Sequence, residues 1–296
     1  MTGNAIHTSA FVKRLFGFTL ICLMLFCTEA CIDNEALRGR LTLNLTDAPA
    51  DASTISEVNI AIRGVEVLRK GSETWQVIKS FEEPKTINIL DFTNGKTYNL
   101  TEQYLTPGEY DGLRLELNLA NVDNGLTVFP QSNLIFTNGT QEVLFVSSGN
   151  TSYVESRSGF KIETNQTTFL TLDFDVRKSL VIENGDYALD PTMRVVETGN
   201  CGTIDGQFRD FGDYPKSIVL AYTPGTYTSA EATNIFANAI SSTKVNANVS
   251  GRFTLAFLEQ GNYELIFVAL NNDGSVKSIL GKLNNVPVTA EETISV

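Results

Sequence analysis

Three aspartates, Asp47, Asp173 and Asp175, are the best candidates in the sequence for a catalytic or metal-binding site. Together with Arg114 and Arg194 they could form a cation site or a carboxylate pair for glycoside cleavage. Asp173 and Asp175 share one face of a predicted strand, about 6–7 Å apart, and that spacing by itself suits neither role. We therefore predict no metal site: Asp47 closes a turn, and the other two pair with arginines at the rim of a β-sandwich. Calcium binding and catalysis are kept as alternatives.

Histidine is nearly absent from the chain, which excludes several classes of enzyme. The only histidine, His7, lies within a predicted signal peptide. A mature chain without histidine has no Ser-His or Cys-His nucleophile pair and no His-ligated zinc or iron. Glycosidase chemistry, which needs only carboxylates, stays open. We predict a protein that is not an enzyme and that needs no cofactor.

The first residues of the chain have the pattern of an export signal. Lys13 and Arg14 precede an apolar run over residues 15–27, which is shorter than the roughly 20 residues that span a membrane. Ala30 followed by Cys31 looks like a lipobox, in which the cysteine receives lipid before the signal is removed. We predict a signal peptide over residues 1–30, lipidation of Cys31 and a tether over residues 31–37. Plain secretion with cleavage near Ala30 is the alternative.

Charge and cysteine content limit the partners of the mature chain. The formal charge of the whole chain is −12, and removal of residues 1–30 takes away two basic residues and one acidic residue, leaving −13. Such a charge repels nucleic acid, so the predicted partners are the membrane, through lipid on Cys31, and a glycan or an envelope protein. Only Cys201 would remain as a thiol, so no intrachain disulfide is expected.

Short alternating strands separated by turn residues account for most of the remaining chain. The clearest strand places Leu113, Leu115, Leu117 and Leu119 on one face. We predict an all-β fold with two Greek-key β-sandwich domains behind the signal peptide.

One segment departs from this alternation and predicts at most one short helix, at about residues 229–242. Apolar residues, Phe236 and Ala239 among them, recur there at helical spacing. Thr228 and Glu231 could form a capping box at its start. A structured loop with two apolar anchors is the alternative.

A turn that occurs twice predicts the two domains. Tyr110 and Tyr263 each end the pattern L-x-x-G-x-Y and begin a hydrophobic strand. Each tyrosine can pack its ring while its hydroxyl bonds back to the corner, as in the tyrosine corner of Greek-key sandwiches. With a glycine-containing connector at residues 198–202, we predict domains over residues 38–198 and 199–296.

Several motifs in one order make the first domain similar to a lipoprotein family known only as domain of unknown function 4382, over about residues 38–198. They are Gly39–Ala50, Val65–Val67, Trp75, Leu90-Asp91 with Asn94-Gly95, Pro107–Tyr110, Leu172–Asp175, and Leu189–Pro191 before Met193. This resemblance implies a β-sandwich at an envelope surface and assigns no activity.

The second domain resembles the transthyretin-like or carboxypeptidase-regulatory-like sandwich. The matching stretches are Gly202–Phe208, Asn248–Leu255 and the turn Leu258–Tyr263. They are structural motifs, and the resemblance implies no active site.

Together these features predict a non-enzymatic, lipid-anchored protein of the outer membrane or cell surface of a Gram-negative cell, acting as a structural or binding module. A glycan-binding accessory lipoprotein of a polysaccharide-uptake system is the first alternative, and a fimbrial subunit or adhesin is the second. A carboxylate-based glycosidase is the remaining one.

Overall fold

The computed structural model describes residues 38–47, 54–120, 131–234 and 236–296. The predicted signal peptide, Cys31 and the tether lie outside these residues. Within the described ranges, no helix is long and apolar enough to cross a membrane.

The described residues form 21 strands and one α-helix, so the prediction of an all-β fold is confirmed. We call residues 38–198 the N-terminal unit and residues 199–296 the C-terminal unit. The strands of the N-terminal unit are β1 (Gly39–Asp47), β2 (Ile55–Arg69), β3 (Trp75–Asn88), β4 (Tyr98–Leu105), β5 (Gly108–Leu117), β6 (Asn133–Phe136), β7 (Gln141–Val143), β8 (Phe145–Val146), β9 (Tyr153–Ser156), β10 (Phe160–Ile162), β11 (Thr167–Phe174), β12 (Leu180–Glu183), β13 (Asp186–Leu189) and β14 (Met193–Glu197), and its helix is α1 (Val176–Ser179). Those of the C-terminal unit are β15 (Cys201–Gln207), β16 (Ser217–Tyr222), β17 (Ser241–Lys244), β18 (Arg252–Glu259), β19 (Gly261–Leu270), β20 (Val276–Val288) and β21 (Thr293–Ser295).

Two main sheets pack face to face in the N-terminal unit. One has the strand order β14-β11-β1-β4, and the other has the order β10-β5-β2-β6-β7, with β3 and β9 attached to β2 and β5. Strands β1 and β11 are parallel, whereas β4 and β14 flank them in antiparallel orientation. A small third sheet, β12-β13-β8, lies beside them.

Alternation along the strands builds the core between these sheets. Leu43 and Leu45 of β1 and Leu172 of β11 are fully buried, and they meet Leu113 and Leu115 of β5 in the same cluster. Because successive side chains point to opposite faces, the residues between them, including Asp173, face outward from this core. The outward face of the first sheet therefore carries Asp173 and its register partner Arg194.

The C-terminal unit also has two sheets, and one of them is buried on both faces. Its sheets have the orders β18-β15-β21 and β17-β16-β19-β20. Val219 and Leu265 point into the core between the sheets, whereas Leu220 and Ile266 lie on the opposite face. Phe236 packs over that opposite face, so the segment before β17 covers what would be exposed apolar surface.

That covering segment corrects the helix prediction for residues 229–242. Only Ser229–Thr233 forms a 3₁₀ helix, and the Thr228 side chain makes no capping bond. Glu231 is buried and accepts hydrogen bonds from Asn238 N (2.9 Å) and Nδ2 (2.6 Å). Phe236 has a φ of +52°, which an α-helix cannot accommodate. The segment is the structured loop with apolar anchors, and the α-helix of the described residues is α1 instead.

Both tyrosine turns fix their ring in a core and their hydroxyl on the backbone. Tyr110 Oη donates to Thr106 O at 2.8 Å, and its ring stacks on Phe160 with 5.0 Å between centroids. Tyr263 Oη donates to Glu259 O at 2.7 Å. The two side chains are buried in different hydrophobic clusters, so each turn ties its own unit together.

The two turns differ in their need for glycine. Gly108 has a φ of +141°, which favours glycine, and its position lies against the Arg69 guanidinium. Gly261 has no positive φ, and a Cβ there would meet only one backbone oxygen at 4.0 Å. The shared sequence pattern therefore reflects the tyrosine contact more than a common backbone conformation.

Candidate functional site

Asp173 and Arg194 form a pair on the outward face of the first sheet. They are register partners on β11 and β14, and Arg194 Nη2 donates to Asp173 Oδ2 at 2.7 Å. Burial raises the pKa of Asp173 above its ordinary value, while the Arg194 guanidinium acts in the opposite direction. The Asp173 carboxylate is thus buried and paired with the Arg194 guanidinium.

Asp175 begins α1 and holds the first turn of this helix. Its Oδ1 accepts from Lys178 N at 3.1 Å, as an N-cap residue does, and its Oδ2 accepts from Arg177 Nη2 at 3.0 Å. Lys178 Nζ lies 3.4 Å from the same Oδ2. Both oxygens of Asp175 therefore have partners within its own loop.

Asp47 ends β1 beside these two carboxylates. Its Oδ1 accepts from Val176 N at 3.2 Å, whereas its Oδ2 is buried and has no hydrogen-bond partner among the described residues. Burial raises the pKa of Asp47 well above its ordinary value; the Val176 bond opposes this shift, and the charges of Asp173 and Asp175 add to it. Asp47 is the least satisfied acid of the group.

The basic residues of this cluster connect the two units. Each of three basic side chains contacts an aspartate of the N-terminal unit and also donates to a backbone carbonyl of the C-terminal unit. The bonds across the junction are Arg177 Nη1 to Phe236 O (3.0 Å), Lys178 Nζ to Ala239 O (2.7 Å) and Arg194 Nη1 to Phe257 O (2.9 Å). We call Asp47, Asp173, Asp175 and these three bases the junction cluster.

Asp173 and Asp175 were predicted to pair with arginines at the rim of the sandwich, and both do pair with arginines, at a rim that the C-terminal unit covers. Asp47, Asp173 and Asp175 are 4%, 4% and 6% exposed, because the C-terminal unit covers them. Arg114 is not part of the cluster, since it pairs with Glu66 on the other sheet. In the described part of the chain, no group of three or more His, Cys, Asp or Glu residues is arranged to hold a metal ion.

Sequence reasoning missed Arg177 and Lys178, which complete the cluster. The run Asp175 to Ser179 contained a local signal, because an aspartate before two basic residues fits an N-cap and a first helical turn. It contained no signal for the acceptors, which are backbone carbonyls 59 and 61 residues further along the chain.

Trp75 belongs to a stack of rings and guanidinium groups on the outward face of the second sheet. The guanidinium of Arg114 lies 4.5 Å from the Trp75 ring centre and 4.0 Å from that of Tyr153, and Arg157 lies 5.0 Å from Trp75. Glu66 Oε2 accepts from Arg114 Nε and Nη2 at 2.9 and 2.7 Å. The Trp75 ring is therefore engaged by arginines, and stacking on a sugar would have to displace them.

An apolar cleft of about 430 Å³ lies between the units, next to the junction cluster. Ile55, Leu180 and Tyr187 line one side, and Ile218, Phe236 and Leu270 line the other. Its volume is within the range of small-molecule sites, which often occur at domain interfaces.

A polar pocket of about 530 Å³ lies on the other side of the β12–β13 hairpin. Its wall is the hydroxyl-rich and amide-rich loop over residues 147–152, opposite Glu183 and Asp186. Glu183 Oε2 accepts from Ser148 N and Oγ, both at 2.9 Å, which fixes the loop against the hairpin. Hydroxyl, amide and carboxylate groups without a basic side chain suit a neutral polyol rather than an anion.

Cys201, the thiol expected in the mature chain, is buried at the start of the C-terminal unit. Its Sγ donates to Glu197 O at 3.5 Å, and burial raises its pKa to about 11. The thiol form is therefore favoured at neutral pH, and Cys201 is unsuited to act as a nucleophile.

The model of one protein family, described as a domain of unknown function (DUF4382), matches residues 38–191, a little over half of the chain. No curated protein matches the chain.

Three solved structures show a distant similarity. The Bacillus anthracis TIE protein is 11% identical over 88% of this chain, with a TM-score of 0.21, and the chain spans only 33% of that protein. The minor pilin GBS52 of Streptococcus agalactiae is 13% identical over 86% of this chain and 93% of its own, with a TM-score of 0.19. The fimbrial anchor protein Mfa2 of Porphyromonas gingivalis is 12% identical over 83% and 82%, with a TM-score of 0.21. Similarity at this level assigns no function to the chain.

Proposed function

We propose, from the premise that this chain belongs to the family described as a domain of unknown function (DUF4382), that it is a lipid-anchored module of the cell surface that acts through structure or binding. The proposal includes the outer membrane as its location and a transthyretin-like sandwich as its C-terminal unit. The second point is supported only at the level of a sandwich, since that unit has two sheets that enclose one apolar cluster.

The junction cluster is the observation that carries a structural role. Groups that could have served as acid, base or nucleophile are instead committed to ion pairs that join the units. A carboxylate that must exchange protons with a substrate needs access to it, whereas Asp173 and Asp175 are covered and paired. The arrangement favours a fixed relation between the units over catalysis.

The direction of β1 relates the junction cluster to the proposed membrane anchor. The strand begins at Gly39, close behind the proposed tether, and ends at Asp47 in the junction cluster. At about 3.3 Å per residue the strand covers roughly 26 Å. A chain anchored through Cys31 would therefore present its C-terminal unit at the end of the N-terminal unit that faces away from the anchor.

Replacement of Cys31 tests the anchor. Cells that express the wild-type chain with a clickable palmitate analogue should yield a labelled protein in the membrane fraction. Cys31→Ser should lose both the label and the membrane association. Cys201→Ser is the matched control and should keep both, because Cys201 is buried in the fold. Persistent labelling of Cys31→Ser would refute lipidation at this residue.

Glycan binding is a second candidate function, and the polar pocket is the observation that favours it. Its serine, threonine and asparagine groups and its two carboxylates can exchange hydrogen bonds with sugar hydroxyls. A glycan array probed with residues 36–296 should identify a neutral oligosaccharide. Asp186→Asn should weaken that binding, whereas Asp213→Asn, on the surface of the other unit, should not. No bound glycan, or equal loss in both variants, would argue against this site.

The fimbrial alternative is less well supported by the described strands. A donor-strand mechanism needs a free segment that completes a neighbouring sandwich. Residues 293–295 instead form β21, which pairs in parallel with Thr203–Asp205 of the same unit.

A further inference from the structure

A small cavity lies at the junction between the two units. It measures about 10 Å³, room for roughly one water-sized sphere. Thr46, Asp47 and Asp173 line it from the N-terminal unit, and Ser241, Ser242 and Thr254 line it from the C-terminal unit. Each of these six side chains carries an oxygen atom, and both units contribute. Asn94, Gly95, Ala256 and Phe257 complete the lining.

One of these oxygens has no partner. Asp47 Oδ2 is buried and has no hydrogen bond in the described structure. The residue as a whole is only 4% exposed. A buried, ionised carboxylate that nothing compensates is strongly unfavourable, so such a group takes up a proton, pairs with a cation or coordinates a metal. The unpartnered oxygen and the cavity are thus two independent signs of a missing ligand.

The neighbouring bases do not supply that ligand. Arg194 is bonded to Asp173, and Arg177 and Lys178 are bonded to Asp175, while each also reaches across to the C-terminal unit. The charge of Lys244 lowers the pKa of Asp47, but no base among the described residues donates a hydrogen bond to Asp47 Oδ2. The geometry suits a hard cation, which prefers carboxylate, hydroxyl and carbonyl oxygens.

We propose that this cavity binds one hard, oxygen-seeking cation, with calcium as the first candidate, through Asp47, Asp173 and neutral oxygens of the C-terminal unit. Asp175 is not a ligand, because both of its oxygens are already engaged. This set has two carboxylates rather than three acidic ligands, which agrees with the absence of a larger acidic group in the described residues. Few charged ligands give weak binding, with dissociation constants of about 10⁻⁴–10⁻³ M, as in extracellular calcium modules.

The cation would act as a bridge between the units. Since its ligands come from both sides of the junction, binding requires the junction to be closed, and binding in turn stabilises the closed form. This inference stands whether or not Cys31 carries lipid.

Calcium binding to the full chain provides the direct test. The protein is stripped with a chelator, and bound calcium is measured by equilibrium dialysis with ⁴⁵Ca. We expect one calcium per chain and, at ten times the dissociation constant, a rise in melting temperature of roughly 3 °C or more. Asp47→Asn keeps the size of the side chain and should abolish both effects. Asp213→Asn is the surface control and should retain them.

Sodium has the same ligand chemistry, and a second arm distinguishes it. Melting temperatures are compared in sodium chloride and choline chloride at equal ionic strength. If sodium stabilises the wild-type chain but not Asp47→Asn, the cation site is supported and its occupant is sodium rather than calcium. If neither cation binds the wild-type chain, or if Asp47→Asn binds calcium as the wild type does, the proposal is overturned. The wild-type measurements decide this even if Asp47→Asn fails to fold.

Discussion

Arg194 and Asp173 are joined by a hydrogen bond of 2.7 Å under the C-terminal unit, and Arg194 also reaches the Phe257 carbonyl of that unit at 2.9 Å. The Arg194 side chain thus pairs with a carboxylate of the N-terminal unit and donates a hydrogen bond to the backbone of the C-terminal unit. Its removal would leave a buried carboxylate without a cation and a carbonyl without its donor. The pair is therefore a sensitive point for both stability and the coupling between units.

Arg194→Met tests this relationship. Breaking a buried ion pair from one side should lower the free energy of unfolding by about 3 kcal/mol, measured by urea denaturation. Trp75 is the only tryptophan, so its fluorescence reports on the N-terminal unit, whereas circular dichroism reports on both units. We expect the two transitions to coincide in the wild type and to separate in Arg194→Met.

The matched control is Arg40→Met, which removes an exposed pair with Glu102 on the other main sheet from the one that carries Trp75. Exposed ion pairs contribute about 0–1 kcal/mol, so this variant should stay close to the wild type with coincident transitions. Equal stability of Arg194→Met and Arg40→Met would show that the buried pair does not hold the junction.

The tyrosine turns give a second prediction. Tyr110→Phe and Tyr263→Phe each remove one hydroxyl bond to backbone and keep the ring, so each should cost about 0.5–1.5 kcal/mol. The corresponding alanine variants also create a cavity and should cost about 3–5 kcal/mol. The free energies are measured by urea denaturation.

Tyr104→Ala is the control for the alanine variants, because Tyr104 is 59% exposed and should cost little on truncation. If Tyr110→Ala and Tyr263→Ala both stayed within about 0.5 kcal/mol of the wild type, the size expected for surface changes, neither ring would anchor its unit.

The strand pattern could be predicted from sequence because it is local. Leu113, Leu115 and Leu117 alternate with polar residues, and all three are buried in the core. The helix over residues 229–242 could not be excluded in this way, because its apolar spacing also fits a loop that lies on a sheet. Phe236 packs on the sheet with a left-handed backbone conformation. The local sequence does not predict this conformation, because a phenylalanine rarely adopts it.

The candidate site was predictable only in part, and for a related reason. Asp173 was expected to pair with an arginine, and the strand register brings Arg194 opposite to it. Its burial was not expected, since it depends on how the C-terminal unit docks. The acceptor of Arg194 in that unit is a carbonyl 63 residues away, and a backbone oxygen carries no side-chain signal.

Separate expression of the units is a third prediction. Residues 36–198 and 199–296 should each show β-type circular dichroism and a cooperative melt, because their buried apolar clusters lie on either side of residues 198–200. Each should be less stable than in the whole chain, where the junction bonds contribute. An unfolded half would mean that the boundary is misplaced or that the units depend on one core.

The pH dependence of stability gives the last prediction, and Asp47 determines its sign. Burial raises the pKa of Asp47 in the folded chain, above its unfolded value of about 3.9. The folded state then binds more protons than the unfolded state, so the contribution of Asp47 to stability is fully present below pH 4 or so and is lost as the pH rises through the folded pKa.

Asp47→Asn is the reference for this effect, because its amide resembles the protonated acid and does not titrate. In buffer with a chelator, the free energy of unfolding of the wild type should fall relative to Asp47→Asn as the pH rises from 4 to 8. Urea denaturation at intervals of half a pH unit measures the difference. Asp173 titrates in both proteins and largely cancels, and calcium at several millimolar should reduce the loss in the wild type alone. If the two stability curves ran parallel across this range, burial would not raise the pKa of Asp47 in the folded chain.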